Sequence, residues 1–261
     1  MRLQYCLYII LVFSAFNHRV VYSKTVEEAF EEGNQTYAHA EMLLKDNEDT
    51  KAAEHFQKAL KLYKTCLEKA ESAALHFNLG NTYFKLGLPG YSIFHFKQAL
   101  LLKPDSEETR ANLRLVEKYA GLEKTQENLL DQTLGSKTPQ FWKWFLWGSL
   151  WFGICLLALP RYFGILTPIL PIIGSVCILL CSVPIFAILK AGEQKNLGIV
   201  LESDTPVLVS PTNQSAVAHY LQPGNSINIK EDEENKTYFF VETNRGESGW
   251  VAIENIGRLH P

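Results

Sequence analysis

The sequence lacks the cysteine content of a disulfide-stabilised protein. Its 261 residues include five cysteines. One lies in an apolar stretch at the N-terminus and three lie in a long apolar region further on, so Cys66 alone falls in a segment with the composition of a soluble domain. Because a disulfide needs two cysteines within one folded unit, we expect packing to hold the soluble parts together.

Positive charge is not concentrated in the soluble parts of the chain. Residues 24–140 carry 15 Lys and Arg against 18 Asp and Glu, and residues 190–261 carry 6 against 10. A protein that binds nucleic acid presents clustered basic side chains to the phosphates. We therefore set nucleic-acid binding aside.

The sequence also lacks the signatures of a catalytic or metal site. It contains no glycine-rich phosphate loop ending in Lys-Ser/Thr and no Gly-x-Ser-x-Gly turn. The acidic run 231–234 lacks the alternating oxygen ligands and the glycine of a calcium loop. We expect a protein that is not an enzyme and that has no cofactor and no metal site, since an enzyme would need a catalytic constellation that is not found. Four histidines show no ligand spacing and are expected to serve packing or the surface: His39, His55, His76 and His95.

Charge is nearly absent from residues 141–189, which contain only two charged side chains. Runs of this length and composition are typical of membrane-spanning helices. The sequence therefore predicts a transmembrane helix at 141–160 and another at 165–189, preceded by a polar linker at 132–140.

Tryptophan and proline add detail to these spans. Trp142, Trp144 and Trp147 lie where an interfacial aromatic belt is expected. We expect the run 160–164 to form a tight loop between antiparallel spans. The prolines of the second span predict kinks or a late start near Ile169.

The N-terminal residues have the pattern of an export signal. Arg2 precedes an apolar stretch from Tyr5 to Phe16, which is short for a membrane span, and compact residues surround a cleavage point after Ser23. This predicts a signal peptide at residues 1–23, with an uncleaved anchor as the alternative. Two spans follow, so both soluble parts are expected on the exported side, although the distribution of positive charge supports this orientation poorly.

Residues 75–105 match the spacing of the 34-residue tetratricopeptide unit, which folds as two helices. Small residues let the two helices approach, alanine lets the following helix nest, and proline ends the second helix. His76 stands where tryptophan is typical. The residues expected to carry this packing are Leu79, Gly80, Tyr83, Ser92, Phe96, Ala99 and Pro104.

A weaker copy of the unit precedes it within residues 24–131, which we predict to be a tetratricopeptide repeat domain. The pattern Ala52-x3-Phe56-x2-Ala59 repeats the signature of the second helix, and Gly33 echoes Gly80. About seven additional residues separate the two halves of this copy. The first repeat is therefore expected to be stretched.

A third helix is expected after Pro104. Asp105 is predicted to cap it with Glu108 reciprocating, and Leu113 then occupies the repeat position of Leu79. Two repeats and a capping helix result, which is close to the minimum for a stable stack.

Residues 196–261 change to a period of two, which predicts a small all-β domain. Its final motif resembles the bacterial SH3-like barrel, in which Gly246 and Gly249 allow tight turns and Trp250 packs at the barrel edge. We expect Trp250 to be structural before it is functional.

The order of these parts resembles the BatE family of bacterial aerotolerance operons. The runs FNLGNTYFKLG and ALLLKPDSEETRANL look like the repeat of that family. The resemblance implies a multi-domain protein of the bacterial inner membrane, with an all-α repeat domain, a two-helix transmembrane hairpin and an SH3-like barrel. It also implies a role in stress or oxygen tolerance beside von Willebrand A-type membrane proteins and a MoxR-type ATPase.

These features predict a scaffold whose soluble modules bind protein partners on the exported face. The first helices of tetratricopeptide repeats line a concave face, and a side-chain amide can pair with an extended peptide backbone through both its donor and its acceptor. The alternative for the asparagines is that they only satisfy neighbouring backbone and helix contacts. The alternative for the whole protein is an envelope tether whose SH3-like domain binds peptidoglycan or regulates cell-wall enzymes. The residues predicted to bind a partner are Asn34, Tyr37, Phe77, Asn78, Asn81, Phe84 and Asn112.

Overall fold

The computed structural model describes residues 26–122, 139–162, 169–193, 196–230 and 237–259. The predicted signal peptide, most of the predicted linker and the acidic run of the C-terminal part lie outside the described residues. A helical N-terminal region, a pair of apolar helical segments and a C-terminal β-sheet follow one another along the chain.

Five helices form the described part of the N-terminal region. Consecutive helices pack against each other as hairpins, and the last helix packs on the fourth. The turn between the third and fourth helices places Gly87 at φ +74, a conformation that glycine adopts without strain. The helices are α1 at residues 26–45, α2 at Asp49–Leu67, α3 at Ala73–Lys85, α4 at Pro89–Leu102 and α5 at Glu107–Tyr119.

The start of α5 differs from the prediction. Ser106, and not Asp105, is the capping residue, because its side chain accepts a hydrogen bond from the Thr109 N–H at 3.3 Å. Arg110 donates to the Pro104 carbonyl oxygen at 2.8 Å and thereby closes the preceding turn, in which Asp105 lies. The predicted capping pair of Asp105 and Glu108 is therefore wrong by one residue at the cap.

The α3–α4 hairpin is closest where Gly80 meets Phe96. A Cβ atom at position 80 would lie 2.8 Å from the Phe96 ring, so a larger residue does not fit there without displacing the ring. Ser92 donates a hydrogen bond to the Gly80 carbonyl oxygen at 2.8 Å. Leu79, Tyr83 and Ala99 are buried in the same layer, and Pro104 follows the end of α4.

The α1–α2 hairpin repeats this contact with a different aromatic residue from the one predicted. A Cβ atom at Gly33 would lie 2.7 Å from the ring of Tyr63, and not against Phe56. In α2 the spacing of small and aromatic residues occurs twice, first around Phe56 and then around Tyr63, flanked by Ala59 and Cys66. Tyr63 is therefore the counterpart of Phe96.

This register makes the first hairpin longer at its turn. After Gly33, α1 continues to residue 45, whereas α3 ends at Lys85, soon after Gly80. Likewise α2 begins at Asp49, long before Tyr63. Each helix gains about seven residues, or two turns, so the hairpin extends about 10 Å further.

The apolar region folds as helices α6 at Pro139–Tyr162, α7 at Ile169–Leu179 and α8 at Ser182–Glu193. Two stretches are long and apolar enough to cross a membrane, Gln140–Ala158 and Ile172–Leu189. By length and composition these agree with the two predicted spans. The residues immediately before Ile169 lie outside the described part of the chain, so the late start near Ile169 stays a prediction.

One detail of this region was predicted wrongly, and another agrees with the kinks predicted from the prolines. Pro160, Arg161 and Tyr162 belong to α6 and not to a tight loop, while the next residues lie outside the described part. A break separates α7 from α8, where Pro184 lies in the first turn of α8. Proline lacks the N–H that would continue the helical ladder, which explains a break at this place.

The C-terminal region is a curled antiparallel sheet of seven strands, with the order β3-β2-β6-β5-β4-β1-β7. Its inner face is a cluster of buried aliphatic side chains. Within the described residues β3 and β7 do not pair with each other, so the sheet is open where a closed barrel was predicted. The strands are β1 at Leu197–Val200, β2 at Thr205–Leu208, β3 at Val217–Leu221, β4 at Ser226–Lys230, β5 at Tyr238–Thr243, β6 at Ser248–Ala252 and β7 at Ile256–Arg258.

The sheet packs against the outer side of α4. One apolar cluster joins the two regions, with Ile93 and Phe96 from α4 and Ile199 and Leu259 from the C-terminal region. The ring of Phe94 lies against the backbone at Gly257, where a Cβ atom would come within 2.5 Å of it. The two regions therefore share a core, although the apolar helices separate them in the sequence.

Candidate functional site

Four predicted asparagines lie in two hydrogen-bonded pairs across the first helices of the hairpins. Asn78 on α3 donates to the Asn34 side-chain oxygen on α1 at 2.8 Å. Asn112 on α5 donates to the Asn81 side-chain oxygen on α3 at 2.9 Å. The two pairs are one helix apart along the stack, and we call these four residues the asparagine face.

Each pair leaves one amide nitrogen and one side-chain oxygen without a partner. The oxygen of Asn34 accepts from Asn78 and also from the Tyr63 hydroxyl at 2.9 Å. Among the described residues, the amide nitrogens of Asn34 and Asn81 and the side-chain oxygens of Asn78 and Asn112 have no hydrogen-bond partner. Each pair thus presents an N–H donor beside a C=O acceptor, which is the pattern of a peptide unit.

The predicted aromatic residues are distributed unequally around this face. Tyr37 lies edge-on to Phe56, and burial together with the neighbouring Glu41 raises the pKa of the Tyr37 hydroxyl. Phe84 lies edge-on to Tyr119 of α5, with ring centroids 5.4 Å apart. Both are half-buried beside the asparagine face.

Phe77 differs from these two residues because it packs into the core that the hairpins share with the sheet. Its ring centroid lies 5.9 Å from that of Phe96. The apolar ring of Phe77 offers no cation to a terminal carboxylate at this place. The neighbouring charges form an ion pair between Lys85 and Glu41 at 3.1 Å, which joins α3 to α1.

The second helices of the hairpins, α2 and α4, form the other layer of the stack. In this layer the C-terminal region covers α4. The Tyr91 hydroxyl donates to the Glu202 carboxylate at 2.6 Å, and Lys97 donates to the Ser226 hydroxyl at 2.8 Å. A Cβ atom at Gly90 would lie 2.2 Å from the Leu201 carbonyl oxygen, so the first turn of α4 touches the backbone that follows β1. The asparagine face and the covered face therefore belong to different helix layers.

The face of α4 that the C-terminal region covers was not predicted from the sequence. The signal that could have found it is the composition of α4, in which Lys97 is the only Lys, Arg, Asp or Glu residue. A helix that is apolar all round is buried on more than one side. One hairpin partner and α5 do not cover that much apolar surface.

Two of the predicted packing histidines form a buried pair inside the second hairpin. The Nδ1 atoms of His76 and His95 are 2.8 Å apart, and the Nε2 atom of His76 lies 2.8 Å from the Glu71 carboxylate. Burial, with His76 and Lys64 nearby, lowers the pKa of His95 to about 3. Burial also lowers the pKa of His76, although Glu71 opposes this shift. Within the described residues no group of three or more potential ligands could hold a metal ion.

The predicted structural residues of the C-terminal motif lie in and before β6. Gly246 has φ +80 in the turn between β5 and β6, and a Cβ atom at Gly249 would lie 2.5 Å from the Val207 side chain. Trp250 is half-buried and lies edge-on to Phe240 at 5.2 Å. This pair forms part of the outward face of the sheet.

Comparison of the chain with protein-family models, with curated proteins and with solved structures found no match.

Proposed function

We propose that the protein is a membrane-anchored, non-enzymatic scaffold that binds an extended segment of a partner protein across α1, α3 and α5. The observation that carries this proposal is the asparagine face, with its two donor–acceptor pairs in neighbouring helix gaps. Because the sequence resembles BatE, we propose that the partners are von Willebrand A-type membrane proteins and a MoxR-type ATPase system in a bacterial aerotolerance or stress complex. On this proposal the helical region is a tetratricopeptide stack and the sheet is an SH3-like domain.

The spacing of the pairs fits a peptide main chain. Packed helices lie about 8–10 Å apart, and an extended chain rises about 3.3 Å per residue. Successive amide pairs therefore meet peptide units about three residues apart on a segment that crosses the helices. Tyr37 and Phe84, which lie beside the pairs, supply apolar contact to side chains of the partner.

The contact between α4 and the sheet supports the proposed topology. The two soluble regions share an apolar cluster, so they lie on the same side of any membrane that the intervening segments cross. On the basis of the predicted export signal, we propose that this side is the periplasmic side of a bacterial inner membrane. Reporter fusions after Leu134 and after Pro261 should both indicate export, and a fusion at Arg161 should indicate the cytoplasm. A cytoplasmic signal at Leu134 contradicts the topology.

Binding is tested with Asn81→Ala and Asn112→Ala, singly and together. The full-length protein is solubilised in detergent and used to capture envelope proteins, including a von Willebrand A-type protein added in purified form. Loss of one bidentate contact should weaken this binding by about 1–3 kcal/mol. Gln35→Ala is the matched control, since Gln35 is an exposed amide on α1 outside the asparagine face. Equal affinity of all variants, with an unchanged melting temperature, would reject the asparagine face as a binding site.

The alternative function, an envelope tether that binds peptidoglycan, is favoured by the half-exposed pair of Phe240 and Trp250 on the sheet. The two rings provide an apolar platform, and the indole N–H of Trp250 gives it a polar edge. Sedimentation of the protein with purified sacculi tests this function. We expect Trp250→Ala to lower the melting temperature first, and a variant of unchanged stability that no longer sediments would favour the tether.

A further inference from the structure

One buried hydroxyl group contacts the asparagine face from the core of the first hairpin. Tyr63 of α2 is 1% exposed, and its ring packs against Gly33. Its hydroxyl donates a hydrogen bond to the Asn34 side-chain oxygen at 2.9 Å. The same oxygen accepts from Asn78 at 2.8 Å, so both of its lone pairs are used. Tyr63, Asn34 and Asn78 therefore form one hydrogen-bonded group that joins the core to the asparagine face.

The hydroxyl proton of Tyr63 fixes the orientation of the Asn34 amide. Exchange of the oxygen and the nitrogen leaves the shape of an amide unchanged, so the hydrogen-bond partners decide which orientation is adopted. The Asn34 oxygen is the only acceptor of the Tyr63 hydroxyl among the described residues. If the amide turned over, this buried O–H would lose its acceptor, which costs free energy. Asn78 must then donate to Asn34, and its own oxygen is left for another molecule.

The Tyr63 hydroxyl keeps its proton at neutral pH. Burial raises the pKa of this hydroxyl, although hydrogen bonding by Asn78 opposes the shift. The donor that orients Asn34 is therefore always present under physiological conditions.

The second asparagine pair has no such hydroxyl. Phe96, the counterpart of Tyr63, presents an apolar ring at the corresponding place in the α3–α4 hairpin. Among the described residues the Asn81 oxygen accepts only from Asn112. If both amides of this pair turned over, Asn81 would donate to Asn112 and no hydrogen bond would be lost. The polarity of the first pair is therefore fixed, whereas that of the second pair can reverse.

We infer that Tyr63 is a positioning residue that sets the direction in which a partner's main chain crosses α1 and α3. The inference deepens the proposed function and rests on it. The first pair offers an N–H on α1 and a C=O on α3, so it fits a main chain whose carbonyl faces α1 and whose N–H faces α3. A chain that runs the other way presents these two groups in exchanged positions at the same spacing. The second pair can adapt to either direction, so the first pair makes the choice.

Aspartate substitutions test the fixed polarity on the full-length protein in detergent. Aspartate has the shape of asparagine, but its ionised carboxylate only accepts hydrogen bonds. Asn34→Asp keeps both contacts of the Asn34 oxygen, so we expect a melting temperature close to that of the wild type. Asn78→Asp places two oxygens against each other and should lower the melting temperature by about 3–8 °C. Both variants add the same charge, so equal melting temperatures, or the reverse order, overturn the inference.

Two further comparisons assign this difference to the hydroxyl. In a Tyr63→Phe background, Asn34→Asp and Asn78→Asp should melt at the same temperature, since the remaining amide of either variant can turn and donate. Asn81→Asp and Asn112→Asp should also agree with each other, because no hydroxyl fixes the polarity of their pair. A difference that persists in Tyr63→Phe, or one of equal size at the second pair, overturns the role of Tyr63.

Binding of the purified von Willebrand A-type protein tests the effect on a partner. Without the hydroxyl the first pair divides between two orientations, so Tyr63→Phe should weaken this binding about twofold or more. The effect should vanish in an Asn34→Ala background, since Tyr63 acts through Asn34. Tyr91→Phe is the matched control and should bind as the wild type does, because its hydroxyl donates to Glu202 on the covered face.

The outcomes of this binding experiment separate the inference from the proposed function. If substitutions of the asparagines weaken binding and Tyr63→Phe does not, only the inference fails. If neither the asparagine substitutions nor Tyr63→Phe changes the affinity, the asparagine face is not a binding site and the proposed function fails with it.

Discussion

The two helical hairpins share one packing rule and differ in length and in what covers them. Gly33 meets Tyr63 in the first hairpin as Gly80 meets Phe96 in the second. The first hairpin extends two turns beyond this contact, whereas the second ends soon after it. The sheet docks on the second hairpin through α4.

The outward residues of α2 and α4 explain why the sheet docks on one and not on the other. When Tyr63 is matched with Phe96, the docking residues Gly90, Tyr91 and Phe94 correspond to exposed polar or charged residues of α2. A long charged side chain prevents the backbone approach that a glycine allows, and burying its charge costs free energy. The close contact between small and aromatic residues therefore holds each hairpin together. The outward residues determine whether the sheet can pack against it. The corresponding residues of α2 are Gln57, Lys58 and Lys61.

The largest effect is expected from shortening the first hairpin in only one helix. Deletion of residues 39–45 together with 52–58 removes two turns from both helices and keeps Gly33 opposite Tyr63. We expect this double deletion to fold, with a free energy of unfolding within about 2 kcal/mol of that of the wild type, since the cluster around Phe56 is removed as a unit. Deletion of 52–58 alone leaves apolar residues of α1 uncovered and should cost about 3–5 kcal/mol.

Urea unfolding followed by circular dichroism measures both deletions on the full-length protein in detergent. If the single deletion is as stable as the double deletion, the matched extension of the two helices is wrong, and the additional residues act as an independent loop.

The next effect concerns the docking of the sheet. Phe94→Ala removes the ring that lies against Gly257 and should lower the free energy of unfolding by about 3 kcal/mol. The sheet and the hairpins should then unfold in two separate transitions. Lys61→Ala, the counterpart on α2, should stay within about 0.5 kcal/mol of the wild type. A single transition of unchanged midpoint in Phe94→Ala would show that the sheet does not depend on α4.

A smaller effect tests the register of the first hairpin. Gly33→Ala forces a Cβ atom against the Tyr63 ring and should cost about 1–3 kcal/mol. Tyr63→Leu should relieve this cost, giving a coupling energy of about 1 kcal/mol in a double-mutant cycle. Phe56→Leu should show no coupling to Gly33→Ala. Coupling to Phe56 in place of Tyr63 would restore the register predicted from the sequence.

The smallest effect is a difference in acid sensitivity between the hairpins. Because burial lowers the pKa of His95, the unfolded chain binds a proton at a higher pH than the folded chain does. The contribution of neutral His95 to the free energy of unfolding is complete above the ordinary histidine pKa of about 6.5. It is lost as the pH falls toward about 3. The corresponding position of α2 is Leu62, which does not titrate.

His95→Gln should therefore flatten the dependence of thermal stability on pH between about 6.5 and 4, as measured by melting curves of the full-length protein. His39→Gln is the control histidine, since it is exposed on α1. A slope that is unchanged in His95→Gln would assign the acid sensitivity to the carboxylates of the protein.

Local patterns predicted the helices, the two apolar segments and the β-rich end of the chain. They succeeded where the signal lies within one helical hairpin, as at Gly80 and Phe96, which the structure brings into contact. They failed on the register of α2, because the same spacing of small and aromatic residues fits both Phe56 and Tyr63. Only the approach of Gly33 distinguishes the two.

Some contacts of the candidate site were likewise predicted from the sequence, and others were not. The sequence predicted that Asn81 and Asn112 could face each other, and the structure places them within a hydrogen bond. It did not predict that His76 and His95 pair, because the spacing between them is not a ligand spacing and the contact depends on how α3 packs on α4. It also did not predict the sheet on α4, which depends on residues more than 100 positions away, such as Glu202 and Gly257.

The apolar outer face of α4 also has a consequence for biosynthesis. α4 is synthesised roughly 90 residues before β1, and translation at about 5–20 residues per second makes this an interval of about 5–20 s. During that interval Ile93 remains uncovered while α6, α7 and α8 are synthesised. Phe94 stays uncovered for longer, because its ring packs against Gly257 in β7. The nascent hairpins therefore resemble a folding intermediate, and a chaperone that meets the chain at this stage would bind the α4 surface that the sheet later covers.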